Sequence, residues 1–131
     1  MKSETHLLID THLLLWARFR PGRLRPGERR VLDGATVRYL SVVVFWEAAI
    51  LLDLRRIENE PTLFDVPAGF EFLPIRPEHC RAITTLARHH RDPFDRMLIA
   101  QAKSENVPLL TRDAGLAAYR ADAPILVNPG G

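Results

Sequence analysis

The chain has 131 residues, a length typical of one domain, and 47% of them are hydrophobic, which suffices for one buried core. It has no apolar run near the ~20 residues of a membrane helix and no apolar N-terminal stretch of the kind that a signal peptide needs. Its one cysteine is Cys80, so a disulfide framework and a cysteine-based zinc site are excluded. We therefore expect a single domain, residues 1–131, in the cytoplasm, with no membrane partner.

The net charge is only +2, but all except two of the 18 basic residues are arginines, and six of them lie between Arg18 and Arg30. Arginine keeps its charge and binds phosphate through two parallel hydrogen bonds. The segment is therefore suited to a nucleic-acid backbone. A solvated surface helix with its flanking loops explains the same pattern equally well, so the charge alone does not decide the function.

The first part of the chain alternates short apolar runs with helical patterns. The predicted strands are Leu7–Ile9 and Val37–Leu40. The predicted helices are Thr11–Phe19, Glu28–Leu32 and a long apolar helix that Ser41 caps and that runs to about Arg56.

The same alternation continues to the end of the chain. The predicted strands are Phe70–Ile75, Val107–Leu110 and Ile125–Val127. The predicted helices are Pro77–Ala87, the helix that Asp92 caps and that runs to about Asn106, and Asp113–Tyr119, with His89–Arg91 as a loop.

Strands that alternate with helices predict an α/β fold, in which helices cover both faces of a mostly parallel sheet. Ligands of such sheets bind beyond the carboxyl ends of the strands. Asp10 and Asp113 each come at or just after a predicted strand end. We therefore expect both carboxylates at the same edge of the sheet.

Four acidic residues occupy positions that surface solubility does not explain. Asp10 directly follows a buried strand, and Asp113 follows another. Glu47 is surrounded by apolar residues, where a charge is costly unless it is paired or binds metal. Asp95 shares the inward face of its helix with Leu98 and other apolar residues at helical spacing.

Each acid also has a purely structural interpretation. Asp10 and Asp113 could serve as helix N-caps. Glu47 could pair with an arginine. Asp95 could be the third-position partner of a capping box that Asp92 begins. All four structural interpretations must hold together for the site to vanish.

Gathering carboxylates is unfavourable, because two like charges about 4 Å apart repel by about 4 kcal/mol at an effective dielectric constant of 20. Either protonation of a carboxyl group or a bound cation offsets this repulsion. Carboxylate oxygens are hard ligands that suit Mg²⁺ or Mn²⁺, and the matching chemistry is hydrolysis of a phosphodiester by a metal-activated water.

Four motifs together resemble the PIN domain of VapC-type toxins: Leu8–His12, Trp46–Ile50, His90–Ala102 and Leu110–Asp113. The block Asp-Pro-Phe-Asp-Arg that begins at Asp92 is the most specific of them. The resemblance implies a three-layer α/β/α fold and a Mg²⁺- or Mn²⁺-dependent endoribonuclease, the toxin of a toxin–antitoxin system. It also implies a cognate antitoxin as partner, and many relatives form homodimers.

By motif position, the resemblance identifies the metal-site acids as Asp10, Glu47, Asp95 and Asp113. Asp92 is a helix cap that also lies near the metal. Candidate substrate-binding residues are Thr111, His12 and Arg112. One departure is visible, since many relatives have a lysine shortly after the Trp-Glu pair and this chain has Leu51 and Leu52. We expect this difference to affect partner contacts rather than chemistry.

Two alternatives within the same fold stay open: a non-catalytic RNA-binding PIN domain and a DNA-directed nuclease. The intact set of acids argues against the first. The residues alone do not separate RNA from DNA, and the preference for RNA comes from the resemblance. A phosphoryl-receiver domain needs an acidic pair after the first strand, and a haloacid-dehalogenase-type phosphatase needs an aspartate where His12 stands.

Overall fold

The computed structural model describes residues 5–89 and 92–130. The strands are β1 (His6–Ile9), β2 (Val37–Ser41), β3 (Phe70–Leu73), β4 (Leu109–Thr111) and β5 (Ile125–Val127). The α-helices are α1 (Thr11–Phe19), α2 (Pro26–Gly34), α3 (Val42–Asp53), α4 (Pro77–Ile83) and α5 (Pro93–Glu105). Short 3-10 helices cover Pro21–Arg23 and Ala114–Tyr119. Within the two described ranges, no helix combines the length and apolarity needed to cross a membrane.

The five strands form one parallel sheet in the order β3-β2-β1-β4-β5. Strand β1 lies in the centre, with Leu8 aligned to Tyr39 of β2 on one side and to Leu109 of β4 on the other. Because every strand points the same way, all their carboxyl ends lie at one edge. The predicted parallel sheet is confirmed.

Helices cover both faces of the sheet. Alternate residues of β1 point to opposite faces, so Leu7 and Ile9 pack with Leu13 and Leu14 of α1, while Leu8 packs on the other face with α5. All of these side chains are almost fully buried. The predicted three-layer α/β/α architecture is confirmed.

The predicted start of α3 is correct and its predicted end is not. Ser41 caps the helix, because its hydroxyl accepts a hydrogen bond from the Val43 amide at 3.1 Å. The helix ends at Asp53 rather than near Arg56, since Arg55 adopts a left-handed conformation with φ of +58°. The Arg55 and Arg56 amides then bond back to the carbonyls of Leu52 and Leu51, which closes the helix as a Schellman motif.

Other differences concern element ends and helix type. Helix α2 is longer than predicted and α4 is shorter, and the helix after Asp113 is a 3-10 helix. Strand β3 stops at Leu73, two residues before its predicted end, and β4 begins at Leu109, two residues after its predicted start. Of the predicted loop at His89–Arg91, the last two residues lie outside the described residues.

Candidate functional site

Asp10 stands where β1 leads into α1, at the carboxyl edge of the sheet. Its side chain is buried, and its Oδ1 accepts a hydrogen bond from the Leu13 amide at 3.0 Å, so it caps α1. Its Oδ2 accepts a hydrogen bond of 2.6 Å from the Thr111 hydroxyl at the end of β4. The structural interpretation of Asp10 as an N-cap is therefore correct, but the cap uses only one of the two carboxylate oxygens.

Asp113 lies at the same edge, two residues beyond the end of β4. The Thr111 hydroxyl that donates to Asp10 also accepts a hydrogen bond from the Asp113 amide at 3.0 Å. The exposed Asp113 carboxylate accepts from the Gly115 amide at 2.9 Å and caps the following 3-10 helix. The structural interpretation of Asp113 as an N-cap is therefore correct, and Thr111 links the Asp113 backbone to Asp10.

Glu47 and Asp95 reach this edge from two neighbouring helices. Glu47 lies near the middle of α3, and Asp95 lies in the first turn of α5, and both side chains are half-buried. No arginine among residues 5–89 and 92–130 forms an ion pair with Glu47. The alternative that an arginine neutralises Glu47 is therefore wrong for the described part of the chain.

Asp92 caps α5, as predicted. Its Oδ1 accepts hydrogen bonds from the amides of Phe94, at 2.8 Å, and Asp95, at 3.1 Å. Pro93 occupies the first helical position, where no amide hydrogen is needed. The cap therefore fixes the turn from which Asp95 projects.

Four of these acids form an electrostatically coupled group, which we call the acidic cluster: Asp10, Glu47, Asp92 and Asp95. Burial raises the pKa of Asp10, and the negative charge of Asp95 adds to that rise, while hydrogen bonds from Thr111 and Leu13 oppose it. Burial likewise raises the pKa of Glu47, and the charges of Asp92 and Asp95 raise it further. The folded protein therefore disfavours the ionised forms of Asp10 and Glu47, mainly through burial and further through the neighbouring negative charges.

Two groups from α1 oppose this effect. His12 lowers the pKa of both Asp10 and Glu47, and the Thr11 hydroxyl lowers the pKa of Glu47. The Thr11 oxygen is fully buried, but no described residue forms a well-aligned hydrogen bond with it. A buried hydroxyl without such a bond is unfavourable, and a polar ligand beside Glu47 would satisfy it.

The residues of the acidic cluster fit a hard divalent cation by their chemistry. All four are carboxylates, burial raises the pKa values of Asp10 and Glu47, and a cation would relieve the repulsion between the acids. In this structure no three His, Cys, Asp or Glu side chains among residues 5–89 and 92–130 converge closely enough to coordinate one ion. The group supplies suitable donors near one another rather than a closed coordination shell.

This electrostatic arrangement predicts how the stability of the metal-free protein depends on pH. A carboxyl whose pKa is raised by folding binds more protons in the folded than in the unfolded protein, so the free energy of unfolding falls as pH rises through the interval between the two pKa values. In EDTA, we expect the Tm to fall as pH rises above 4.5, the ordinary pKa of Glu47. Asp95→Asn, which removes one like charge, should raise the metal-free Tm at neutral pH. A metal-free variant that melts below the metal-free parent would contradict this prediction.

Arg112 has a structural role that the sequence did not indicate. Its Nε donates to Glu28 at 3.0 Å, its Nη2 donates to the same carboxylate, and it also bonds to the Arg23 carbonyl at 2.8 Å. Glu28 on α2 is only 1% exposed, so without Arg112 its carboxylate would be a buried charge with no ion-pair partner among the described residues. The candidate substrate residue Arg112 is therefore held in an ion pair, while the other two candidates, Thr111 and His12, lie at the acidic edge.

Comparison with known proteins gives the family to which the sequence is similar. The family model of the PIN domain matches residues 7–122. A curated relative, ribonuclease VapC22 of Mycobacterium tuberculosis, is 25% identical over 134 residues, which is 94% of this chain and 98% of that protein.

Solved structures share the fold at low sequence identity. VapBC2 of Rickettsia felis bound to a promoter DNA fragment has a TM-score of 0.72 and 11% identity, covering 94% of this chain and 98% of that one. FitAcB of Neisseria gonorrhoeae has a TM-score of 0.65 and 23% identity, covering 94% and 97%. VapBC-5 of Mycobacterium tuberculosis, a member of a family of toxin–antitoxin systems, has a TM-score of 0.64 and 17% identity with the same coverage.

Proposed function

The chain belongs to the PIN domain family, and from this membership we propose that it is a Mg²⁺- or Mn²⁺-dependent endoribonuclease that acts as the toxin of a toxin–antitoxin pair. The observation that carries the proposal is the acidic cluster: Asp10 is fixed at the carboxyl edge of the sheet by Thr111 and Leu13, Glu47 and Asp95 come from α3 and α5, and burial with nearby negative charges raises the pKa values of Asp10 and Glu47. The name of the relative VapC22 supports RNA as the substrate.

In this proposal Asp10, Glu47 and Asp95 would hold the cation, and Asp113 would add a carboxylate from the neighbouring strand end. When bound, the cation would supply Lewis-acid stabilisation of the phosphate and would activate the attacking water. Thr111 keeps the Asp10 carboxylate in place through its hydrogen bond of 2.6 Å. Asp92 positions Asp95 by capping α5 and is not itself required as a ligand.

The experiment that tests this proposal is incubation of the purified chain with a total RNA pool in Mg²⁺ or Mn²⁺, with mapping of the product ends. We expect discrete cleavage that EDTA abolishes. A parallel incubation with single-stranded DNA separates the ribonuclease from a DNA-directed nuclease. Binding of RNA without cleavage in either metal would favour the non-catalytic alternative.

The two aspartates at the start of α5 should respond differently to the same substitution. Asp95→Asn should lose most activity, about 100-fold or more, because an amide oxygen is a weaker cation ligand than a carboxylate. Asp92→Asn should retain much of it, since asparagine also caps helices well. Initial cleavage rates at saturating metal measure the difference. Equal, near-complete losses would refute this division of roles.

We also propose that a small antitoxin binds and inhibits the chain. The related structures VapBC-5 and FitAcB, whose names indicate two-component assemblies, support this partner. Surface apolar side chains are available for such a contact, since Trp46, Phe64 and Phe72 are each about half exposed. A homodimer is a second use for this surface, which the elution volume of the purified chain alone tests.

Co-expression with the neighbouring open reading frame should relieve growth arrest caused by this chain and give a complex that survives size-exclusion chromatography. The matched control is Asp10→Asn, which should not arrest growth and should still form the complex. If soluble, folded wild-type protein leaves growth and bulk RNA unchanged, the toxin assignment is wrong.

A further inference from the structure

We propose that a cavity beside the acidic cluster binds one unpaired nucleotide of the substrate, with its base against Trp16 and its phosphate near Arg55. The inference rests on the proposed ribonuclease function and specifies the substrate as single-stranded at this point. We call this pocket the Trp16 cavity; it lies between α1 and the segment that follows α3.

The Trp16 cavity has the size and the floor of a ligand site. Its volume is about 350 Å³, within the range of roughly 300–1,000 Å³ typical of small-molecule pockets. Its apolar lining consists of Leu15, Trp16, Phe19, Ile57 and Leu63. An aromatic and aliphatic floor favours the flat face of a base, because every base can stack on an aromatic ring.

The cavity lies close to Asp10 through His12. This exposed residue lines the cavity and follows Asp10, the N-cap of α1, by two residues. Trp16 lies one helical turn further along α1, with its ring centroid 6.2 Å from that of His12. A nucleotide in the cavity would therefore neighbour a phosphodiester held at the acidic cluster.

Trp16 is also held in place before any ligand arrives. The Cζ atom of Arg112 lies 4.6 Å from the Trp16 ring centroid, and Arg112 is itself anchored by Glu28. A preset aromatic ring loses little conformational entropy when a base stacks on it. The Glu28–Arg112 pair thus supports the stacking surface rather than the reaction.

The rim of the cavity is positively charged on balance. Four arginines line it, Arg20, Arg23, Arg55 and Arg56, against two glutamates, Glu58 and Glu60. Arg20 already pairs with Glu58 at 3.0 Å, and Arg23 lies 5.8 Å from the Trp16 ring centroid. Arg55 and Arg56 follow α3 and are exposed. Guanidinium groups beside an aromatic floor suit a base with its attached phosphate.

The backbone at Arg55 gives an independent reason to assign a ligand here. Its φ of +58° places it at the left-handed position of a Schellman motif, where glycine is strongly favoured. A side chain at such a position is unfavourable for stability, and backbone strain of this kind is concentrated at functional sites. The structure thus carries an arginine at the cavity where stability alone would favour glycine.

The dimensions of the cavity favour a nucleotide over a protein segment. The volume accommodates one nucleotide, whereas a helix laid in a groove needs a longer apolar face. A base enters such a cavity only if it is unpaired and can be turned out of a stack. An acidic antitoxin segment is the competing occupant.

Arg55→Gly separates ligand binding from stability. Measured by fluorescence anisotropy of a labelled single-stranded oligoribonucleotide in EDTA, which prevents metal-dependent cleavage, the variant should bind more weakly. The slope of log K against log salt concentration should become shallower by about 0.7, as expected when one phosphate contact to a single strand is lost. The Tm of Arg55→Gly should rise at the same time, because the left-handed conformation no longer carries a side chain.

Two controls match this variant. Asn106→Gly changes another left-handed residue, at the far end of α5, and should leave RNA binding unchanged. Arg81→Gln removes one exposed positive charge from α4, on the opposite face of the sheet, and should change the salt slope less than Arg55→Gly does. Equal effects of Arg81→Gln and Arg55→Gly would overturn the proposal, since they would show only a general charge effect.

Trp16 itself reports base stacking. In Trp46→Phe, Trp16 is the single remaining tryptophan, and its fluorescence should be quenched when the oligoribonucleotide binds in EDTA. Trp16→Leu, which retains an apolar side chain, should weaken binding about tenfold or more. Unchanged fluorescence at saturating RNA would overturn the proposal. Unchanged affinity in Trp16→Leu would also overturn the proposal. If an acidic peptide quenches the Trp16 fluorescence and RNA does not, the cavity binds a protein partner instead.

The failure of this inference differs from failure of the proposed function. If metal-dependent cleavage is observed but Arg55→Gly and Trp16→Leu bind and cleave as the wild type does, the cavity assignment is wrong and the ribonuclease stands. If no cleavage occurs but both variants lose RNA binding, the cavity binds nucleotides and the ribonuclease proposal is wrong.

Discussion

Asp10→Asn is expected to reduce metal-dependent RNA cleavage by at least about 100-fold while the protein stays folded. Asp10 is the most buried member of the acidic cluster and joins β1, β4 and α1 at one point. Replacing the carboxylate by an amide removes a negative charge at the position where a cation would bind. The measurement is the initial rate of cleavage of one mapped substrate at saturating Mg²⁺ or Mn²⁺.

The choice of asparagine keeps the structural role of the side chain. Its amide oxygen can still accept the Leu13 amide as an N-cap. The Thr111 hydroxyl is both donor and acceptor, so it can bond to either end of the amide. A far-ultraviolet circular dichroism spectrum that matches that of the metal-free parent, together with a Tm that is equal to or above the parent's, would establish that the fold persists.

The metal dependence has its own control. Glu47→Gln should lose activity to a similar degree, because Glu47 is the second carboxylate whose pKa is raised by burial. Metal should raise the Tm of the parent more than that of either variant, since binding to the folded state alone is stabilising. Cleavage by the parent at full rate in EDTA would disprove the metal mechanism, whatever the variants do.

The elements that the sequence predicted well are those with local signals. Ser41 and Asp92 were both identified as helix N-caps, and each side chain accepts the expected backbone hydrogen bonds. Pro93 marks the first position of α5 in the same way. Such signals act within one helical turn, so they do not depend on tertiary contacts.

The end of α3 was missed for the opposite reason. The left-handed Arg55 closes the helix, and nothing in its side chain favours that conformation over a continued helix. The sequence has no glycine there, so the usual signal for a helix C-terminus was absent. The presence of arginine at a position where glycine is favoured is also one of the observations that support a ligand in the Trp16 cavity.

The sequence indicated the acidic residues of the candidate site, but it did not indicate the buried ion pair between Glu28 and Arg112 that lies beside them. Asp10 and Glu47 stood out because a charge among apolar neighbours needs a reason. Their assignment as metal ligands remains a prediction. Glu28 gave no such signal, since it lies among polar and charged residues of the sequence. Its burial depends on Arg112, 84 positions away, and so on the fold as a whole.

Arg112→Ala is expected to lower the free energy of unfolding by about 3 kcal/mol. The substitution removes the side-chain donors that bond to Glu28, which is only 1% exposed. The Glu28 carboxylate then keeps the hydrogen bond from the Arg25 amide, at 2.7 Å. We expect the low end of the range for broken buried pairs, because the Arg112 side chain is 26% exposed and water can enter the space it leaves. Burial favours the neutral form of Glu28. The hydrogen bonds and the positive charge of Arg112, together with the hydrogen bond from the Arg25 amide, outweigh burial and lower the pKa of Glu28.

A double-mutant cycle separates the ion pair from a direct role of Arg112 in RNA binding. Glu28→Gln with Arg112→Ala should recover part of the lost stability, because the uncompensated charge is gone. Since the folded pKa of Glu28 is lowered, the stability that the pair contributes is present above the ordinary value of 4.5 and is lost as pH falls through the folded pKa. Urea denaturation of the single and double variants at neutral pH measures the coupling. If Arg112→Ala unfolds at the same urea concentration as the wild type but no longer binds RNA, Arg112 is a substrate-binding residue and the structural assignment is wrong.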